Sequence, residues 1–276
     1  MSKPVGTLDQ IADYLVNGDY WAAAGIKWRT SDNEPIPVDV SRMDAVGKSL
    51  VRKALDAWSQ ATGLSFVETS IDLADSTRLN DSGIIFQNSE PGGFARLMEN
   101  GPAAGIVNYL ININRAFYNH KAERPETLQI FIHEIGHALG LGHPGPYNGS
   151  GRYGTHNYFL NDSYQISVMS YFDQLENTAL DAALAYPGTP MPADILAIEK
   201  LYGDSNTLRT GDTVYGFNSN AGGHLAQIAG IMKSITPSSS QPTVTFTLID
   251  DGGIDTFDYS GAVRSSRVDL RPWRRV

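Results

Sequence analysis

The chain has 276 residues, six histidines and no cysteine, with a formal net charge of −9 at pH 7. That charge argues against nucleic acid and anionic membrane surfaces as partners, and the missing cysteines exclude disulfides, thiolate metal ligands and a cysteine nucleophile. With 41% hydrophobic residues the chain suits one large domain, or one domain and an appendage, and no run approaches the roughly 18 apolar residues of a membrane-spanning helix.

Residues 1–24 read as an N-terminal arm or pro-segment, with a helical turn or two over Thr7–Leu15. Met1 to Asp19 lacks the apolar core of a signal peptide. Ile26–Thr30 alternates apolar and polar residues and predicts a strand, whereas residues 31–40, rich in Pro, Asp, Asn and Ser, read as a loop. Met43, Val46, Leu50, Ala54, Leu55 and Trp58 form a helical stripe over Met43–Ala61, which Gly63 ends. Leu64–Thr69, Gly83–Asn88, Phe94–Met98 and Gly105–Asn114 then predict four strands. Strand, helix, strands and a second helix make an α+β arrangement, a twisted mixed five-stranded sheet backed by helices.

The second helix, from about Pro125 to Leu139, carries the densest chemistry in the chain. His133 and His137 stand four residues apart and so project from one face. Two imidazoles at that separation reach one ion through Zn–N bonds of about 2.0–2.1 Å. Glu134 is turned about 100° around the axis, beside the pair, where a general base belongs. Gly140 can adopt a left-handed conformation and end the helix, which lets His143 swing back to the same ion before Pro144 prevents further helix. Three neutral imidazoles leave a fourth position for water, the arrangement of a catalytic zinc. His120, His156 and His224 read as solvated loop residues.

Pro144–Ser163 is a long Gly-, Asn- and Tyr-rich loop, of a length expected only where it is functional or held by ligands. Met191–Tyr202 predicts a helix closed by Gly203. From Asp204 the texture changes to glycine, threonine, aspartate and short strands, the start of a β-rich unit.

Four segments in order resemble the serralysins, a branch of the metzincin metalloproteases. They are His133–Tyr147 (HEIGHALGLGHPGPY), Ser163–Phe172 (SYQISVMSYF), Asp194–Asn220 (DILAIEKLYGDSNTLRTGDTVYGFNSN) and Asp250–Gly261 (DDGGIDTFDYSG). The resemblance implies a secreted zinc endopeptidase with a metzincin-like catalytic domain over 25–203 and a calcium-binding region beginning at 204–276. It makes His133, His137 and His143 the zinc ligands and Glu134 the base. Met169 becomes the apolar floor beneath the imidazoles, and Tyr171 a residue that sits on the metal or swings away to bond the oxyanion. Arg209, Gly211, Thr213, Asp250, Gly252 and Asp255 match a calcium site of hard oxygen ligands. An extended substrate is expected to pair with the strand carrying Phe94, Ala95, Arg96 and Leu97.

The family's glycine-rich nonapeptide repeats are absent, and Gly252-Gly253-Ile254-Asp255 stands only at their threshold. The sequence thus reads as a form truncated before the β-roll and lacking the C-terminal export signal. The expected partners are protein or peptide substrates and a proteinaceous inhibitor, engaged by a monomer. The alternative reading is an inactive, zinc-holding form that acts as a binding module.

Overall fold

Asp44 and Gly63 set the limits of the long helix as their chemistry dictates. The Asp44 carboxylate accepts the Gly47 N–H at 2.8 Å, and Gly63 closes the helix at φ 74°, a left-handed conformation that costs glycine little. This computed structural model describes residues 3–20, 26–28, 34–71, 82–100, 105–122, 124–178, 180–204, 208–234, 243–263 and 265–270. In chain order the elements are α1 (Leu8–Asn17), β1 (Lys27–Trp28), β2 (Ile36–Arg42), α2 (Ala45–Thr62), β3 (Phe66–Glu68), β4 (Gly83–Gln87), β5 (Gly93–Asn100) and β6 (Gly105–Ile113). They continue with α3 (Pro125–Ala138), β7 (Ala185–Pro187), α4 (Pro192–Tyr202), β8 (Val214–Gly216), α5 (Gly223–Ser234), β9 (Thr243–Thr245) and β10 (Thr256–Asp258). No described helix is long and apolar enough to cross a membrane.

The main sheet runs β3-β2-β4-β6-β5, parallel throughout except for the antiparallel edge strand β5. Two-residue β1 pairs with the start of β6, so the sheet is five positions wide and contains six strands. β5 occupies the other side of β6 at Ile106, which places β1 on the side that β4 continues. The strand faces divide cleanly. Ile84, Phe86, Tyr109 and Ile111 join the central core with α2 and α3, whereas Ile85, Leu110 and Ile71 form a small cluster on the opposite face.

Residues 36–40, expected as part of a loop, belong to β2, an inner strand of that sheet. Ile36, Val38 and Val40 are buried at alternate positions, a strand period that Pro35 and Pro37 conceal. Buried Asp39 is satisfied by the N–H groups of Ser41 at 2.7 Å and Ile71 at 3.1 Å.

α3 is buried nearly all round, from Pro125 to Ala138, because it lies between α2 and the sheet. The Trp58 indole N–H donates to the Ile132 carbonyl at 3.0 Å, and that of Trp28 to Ala138 at 2.7 Å. α1 is opened by a capping box of Thr7 and Gln10 and packs on α4. Past residue 204 the chain adds β9, which pairs in parallel with the earlier β7, the parallel pair β8–β10 and, beyond the short strands expected there, helix α5 against α2. His224 is therefore no solvated loop residue: it is buried on α5, with Nε2 2.6 Å from the Gly188 carbonyl oxygen. His120 and His156 are exposed, as expected.

Candidate metal centre

The end of α3 turns the chain as the glycine reading requires. Gly140 adopts φ 101°, and a Cβ there would lie 2.2 Å from the Ile26 carbonyl oxygen, so no other residue fits. The turn brings His143 back to His133 and His137, and one ring nitrogen of each lies within 4.8 Å of the others. Among the described residues this is the one group of three or more His, Asp or Glu able to share an ion.

Each imidazole is oriented by a backbone carbonyl. His133 Nδ1 is 2.9 Å from Val168 O, His137 Nδ1 2.8 Å from Leu141 O, and His143 Nδ1 2.8 Å from Tyr147 O. A carbonyl oxygen only accepts, so each Nδ1 carries the proton and each Nε2 presents a lone pair. His133 and His143 Nε2 approach to 3.4 Å. Two acceptors have no reason to meet so closely without a cation between them. Nitrogens held about 2.0–2.1 Å from one tetrahedral ion stand about 3.3–3.4 Å apart, so the donor set fits zinc. Burial pushes the His133 imidazolium down to about 4, and burial with the neighbouring imidazoles holds His137 and His143 well below the ordinary histidine range. All three are neutral at pH 7, as ligands must be.

Glu134 is buried, and burial pushes its carboxyl up to about 8. Its Oε1 lies 3.8 Å from where a Cβ on Gly93 would stand, which sets the carboxyl against the start of edge strand β5. Tyr171 is half-buried, its ring 4.5 Å from that of His143 and 5.9 Å from that of His133, and its hydroxyl accepts the Gly149 N–H at 3.2 Å. Met169 is fully buried, and a Cβ on Gly136 would come within 2.4 Å of its Sδ. Gly136, between Glu134 and His137, is thus the residue that lets the methionine press against the helix.

Two carboxylates that sequence reasoning passed over hold the loop half of the centre. Asp194, buried on α4, accepts the Ser167 hydroxyl at 2.6 Å, the Val168 N–H at 2.7 Å and the Met191 N–H at 2.8 Å. It thereby fixes the peptide whose carbonyl orients His133. Asp162 accepts the Ser170 hydroxyl at 2.6 Å and the Tyr147 hydroxyl at 3.0 Å, and Tyr147 supplies the carbonyl that orients His143. Burial pushes both carboxyls up to about 7, against donors that pull them down. In the sequence Asp162 stands just before one recognised segment and Asp194 opens another, with no spacing that marks either as a brace.

Of the edge-strand residues, Ala95 and Leu97 pack on the core side, whereas Phe94 joins the opposite cluster, with the Arg96 guanidinium 5.5 Å over its ring. The six expected calcium ligands lie in the tail, where the 209–213 and 250–255 segments touch: a Cβ on Gly252 would be 3.4 Å from Thr210 O. There the Thr213 N–H donates to Asp255 at 3.0 Å and the Gly252 N–H to Asp250 at 3.0 Å.

A family model described as matrixin matches residues 20–167, and one described as peptidase M10 serralysin C terminal matches 204–274. Serralysin B of Dickeya chrysanthemi is 36% identical over 226 residues, covering 79% of this chain and 44% of that protein. Serralysin of Proteus mirabilis is 33% identical over 257 residues, covering 89% and 50% respectively. Among solved structures, high choriolytic enzyme 1, a hatching enzyme zinc-protease from Oryzias latipes, aligns with TM-score 0.41 and 19% identity over 67% of this chain and 98% of that one. The chain spans about half the length of the curated relatives it matches.

Proposed function

The chain belongs to the matrixin family, in its serralysin branch, and from that premise we propose that it is a zinc-dependent endopeptidase. One observation carries the reading: three Nε2 lone pairs, each fixed by a carbonyl at the opposite nitrogen, converge beside a buried carboxyl. Bound there, zinc would acidify a water and polarise a peptide carbonyl.

The residues around it divide the remaining work. With zinc bound, the charge of the ion would favour the ionised form of Glu134 over the protonated form that burial alone favours, and the carboxylate would take the proton of the attacking water and return it to the leaving amine nitrogen. The Tyr171 hydroxyl accepts from Gly149 and keeps its own proton to donate to the oxyanion that forms at the scissile carbonyl. Among the described residues β5 pairs on one side only, so its outer edge offers backbone groups to an extended peptide that runs past Glu134. The substrate class is accordingly protein or peptide in extended form.

We assign the chemistry to residues 25–203 and a structural calcium to the region from 204, on the carbonyls of Arg209, Gly211 and Gly252, on Thr213 and on the carboxylates of Asp250 and Asp255. The hard oxygen set and the contact of the two segments support it. An extracellular site of action is part of the same reading. The test is cleavage of a denatured protein with and without 1,10-phenanthroline, beside the Glu134→Ala variant. Loss of cleavage by both routes is expected. Cleavage that survives the mutation refutes the proposed base, and zinc bound without cleavage favours a binding module.

A further inference from the structure

The N-terminal arm reaches the metal centre by a route that the reaction itself does not require. The Pro4 carbonyl accepts the Leu160 N–H at 2.7 Å, and Gly6 exchanges two hydrogen bonds with the Asn161 amide at 2.8 and 2.9 Å. Farther along, the Leu15 carbonyl accepts the N–H of Gly142, the residue before the third histidine, at 2.7 Å. The arm then delivers Tyr20, whose ring lies face to face with that of His137, 4.5 Å away and 2° from parallel. The same ring stands edge-on to His143 at 5.0 Å and 88°. Its hydroxyl is hydrogen-bonded to that of Tyr109 on β6. Gly142 makes room for it, since a Cβ there would come within 2.6 Å of the Tyr20 Cβ.

We propose that Tyr20 is a positioning residue of the metal centre: its ring holds the His137 and His143 imidazoles in their ligating planes, so metal retention depends on the seated arm. The argument is geometric and rests on the zinc reading above. An imidazole tied only at Nδ1 can still rock about that bond, and a ring parallel to its face removes the motion. Offset-stacked and edge-to-face pairs are both favourable arrangements for aromatic rings, and Tyr20 makes one of each kind. Orienting contacts of this class commonly change metal affinity by about 10- to 100-fold. The arm is then a structural part of the centre, and its cleavage as a pro-segment would weaken metal binding.

The full-length chain tests this through zinc competition against a chromogenic chelator, the visible spectrum of the cobalt-substituted protein, and melting of the metal-free form. Tyr20→Leu is expected to release zinc about tenfold more readily and to shift the cobalt bands, with metal-free melting unchanged. Tyr20→Phe and Tyr109→Phe keep the ring contacts and are expected to stay within about threefold of wild type. Should Tyr20→Leu fail to fold, Tyr20→Met, which fills the space without a π face, takes its place under the same expectations. Unchanged zinc affinity and cobalt spectrum in the leucine or methionine variant overturn the proposal. So does faster peptide cleavage at unchanged affinity, which would make the ring a plug, or a tenfold loss in either phenylalanine variant, which would move the role to the hydroxyl pair. A wild-type chain that takes up no zinc overturns the metal reading itself, and this inference with it.

Discussion

His133 and His137 owe their mutual geometry to one helix, whereas His143 owes its place to the Gly140 turn and to a loop braced from another segment. In the helical half the spacing does the work: one turn of α3 separates the two histidines, and Glu134 follows from its place between them. Buried carboxylates on other segments brace both halves: Asp162 holds Tyr147, whose carbonyl aims His143, and Asp194 holds Val168, whose carbonyl aims His133. The helix sets the spacing of its two histidines, but His133 still takes its ring orientation from the distant Val168 carbonyl. Ligands supplied by a loop inherit every weakness of what braces them.

The comparison is broken most sharply at the base. Glu134→Gln removes a proton carrier without touching a ligand, so kcat is expected to fall by about 10²–10⁴-fold with zinc content unchanged, read by steady-state cleavage and metal analysis. A comparable loss of zinc would mean that the two halves are not separable there. Next comes the junction. Gly140→Ala places a Cβ 2.2 Å from the Ile26 carbonyl at φ 101°. It should cost about 3 kcal/mol or more in denaturant unfolding and loosen His143 before His133.

Asp194→Asn sharpens the contrast from the loop side. Replacing an acceptor oxygen by an amide N–H turns a donor toward three donors, at a cost of about 2–4 kcal/mol in the metal-free protein, with α3 retained by circular dichroism. The same variant carries a pH signature. Burial raises the folded pKa of Asp194 from 3.8 to about 7, so between those values the native state binds a proton that the unfolded chain has lost. The stability that Asp194 contributes is therefore complete below about pH 4 and falls by up to about 1.4 kcal/mol per pH unit until pH 7. The wild-type minus Asp194→Asn difference should show that slope and then level off; a slope of the opposite sign refutes it.

The smallest effect belongs to the surface. Lys200 meets Asp9 at 2.7 Å and Asp13 at 2.8 Å, but both aspartates are exposed. Lys200→Ala should change stability by less than about 1 kcal/mol and zinc affinity not at all.

The same division explains what the sequence made legible. The helix end at Gly63, the α3 histidines and the Gly140 turn are local devices, and each was readable from residue type and spacing. β2 was hidden because Pro35 and Pro37 mark a loop by composition, while the apolar alternation of Ile36, Val38 and Val40 is only three positions long. Tyr20, Asp162 and Asp194 act across long stretches of chain, and nothing near them in sequence announces a partner. An aspartate in the first turn of a helix reads as an ordinary dipole contact; that Asp194 is fully buried against the Val168 peptide is a fact of packing alone. His224 misleads in the same way, since its burial depends on α5 docking against α2.

The most direct test of the central claim is a zinc titration of the metal-stripped chain, with cleavage of an unstructured peptide followed at each addition. The account predicts that activity rises in proportion to added zinc and stops rising at about one ion per chain, the capacity of a single three-histidine site. Activity that is unaffected by stripping, or a stripped chain that regains none of it when zinc is bound, would contradict the assignment of His133, His137 and His143 to a catalytic centre.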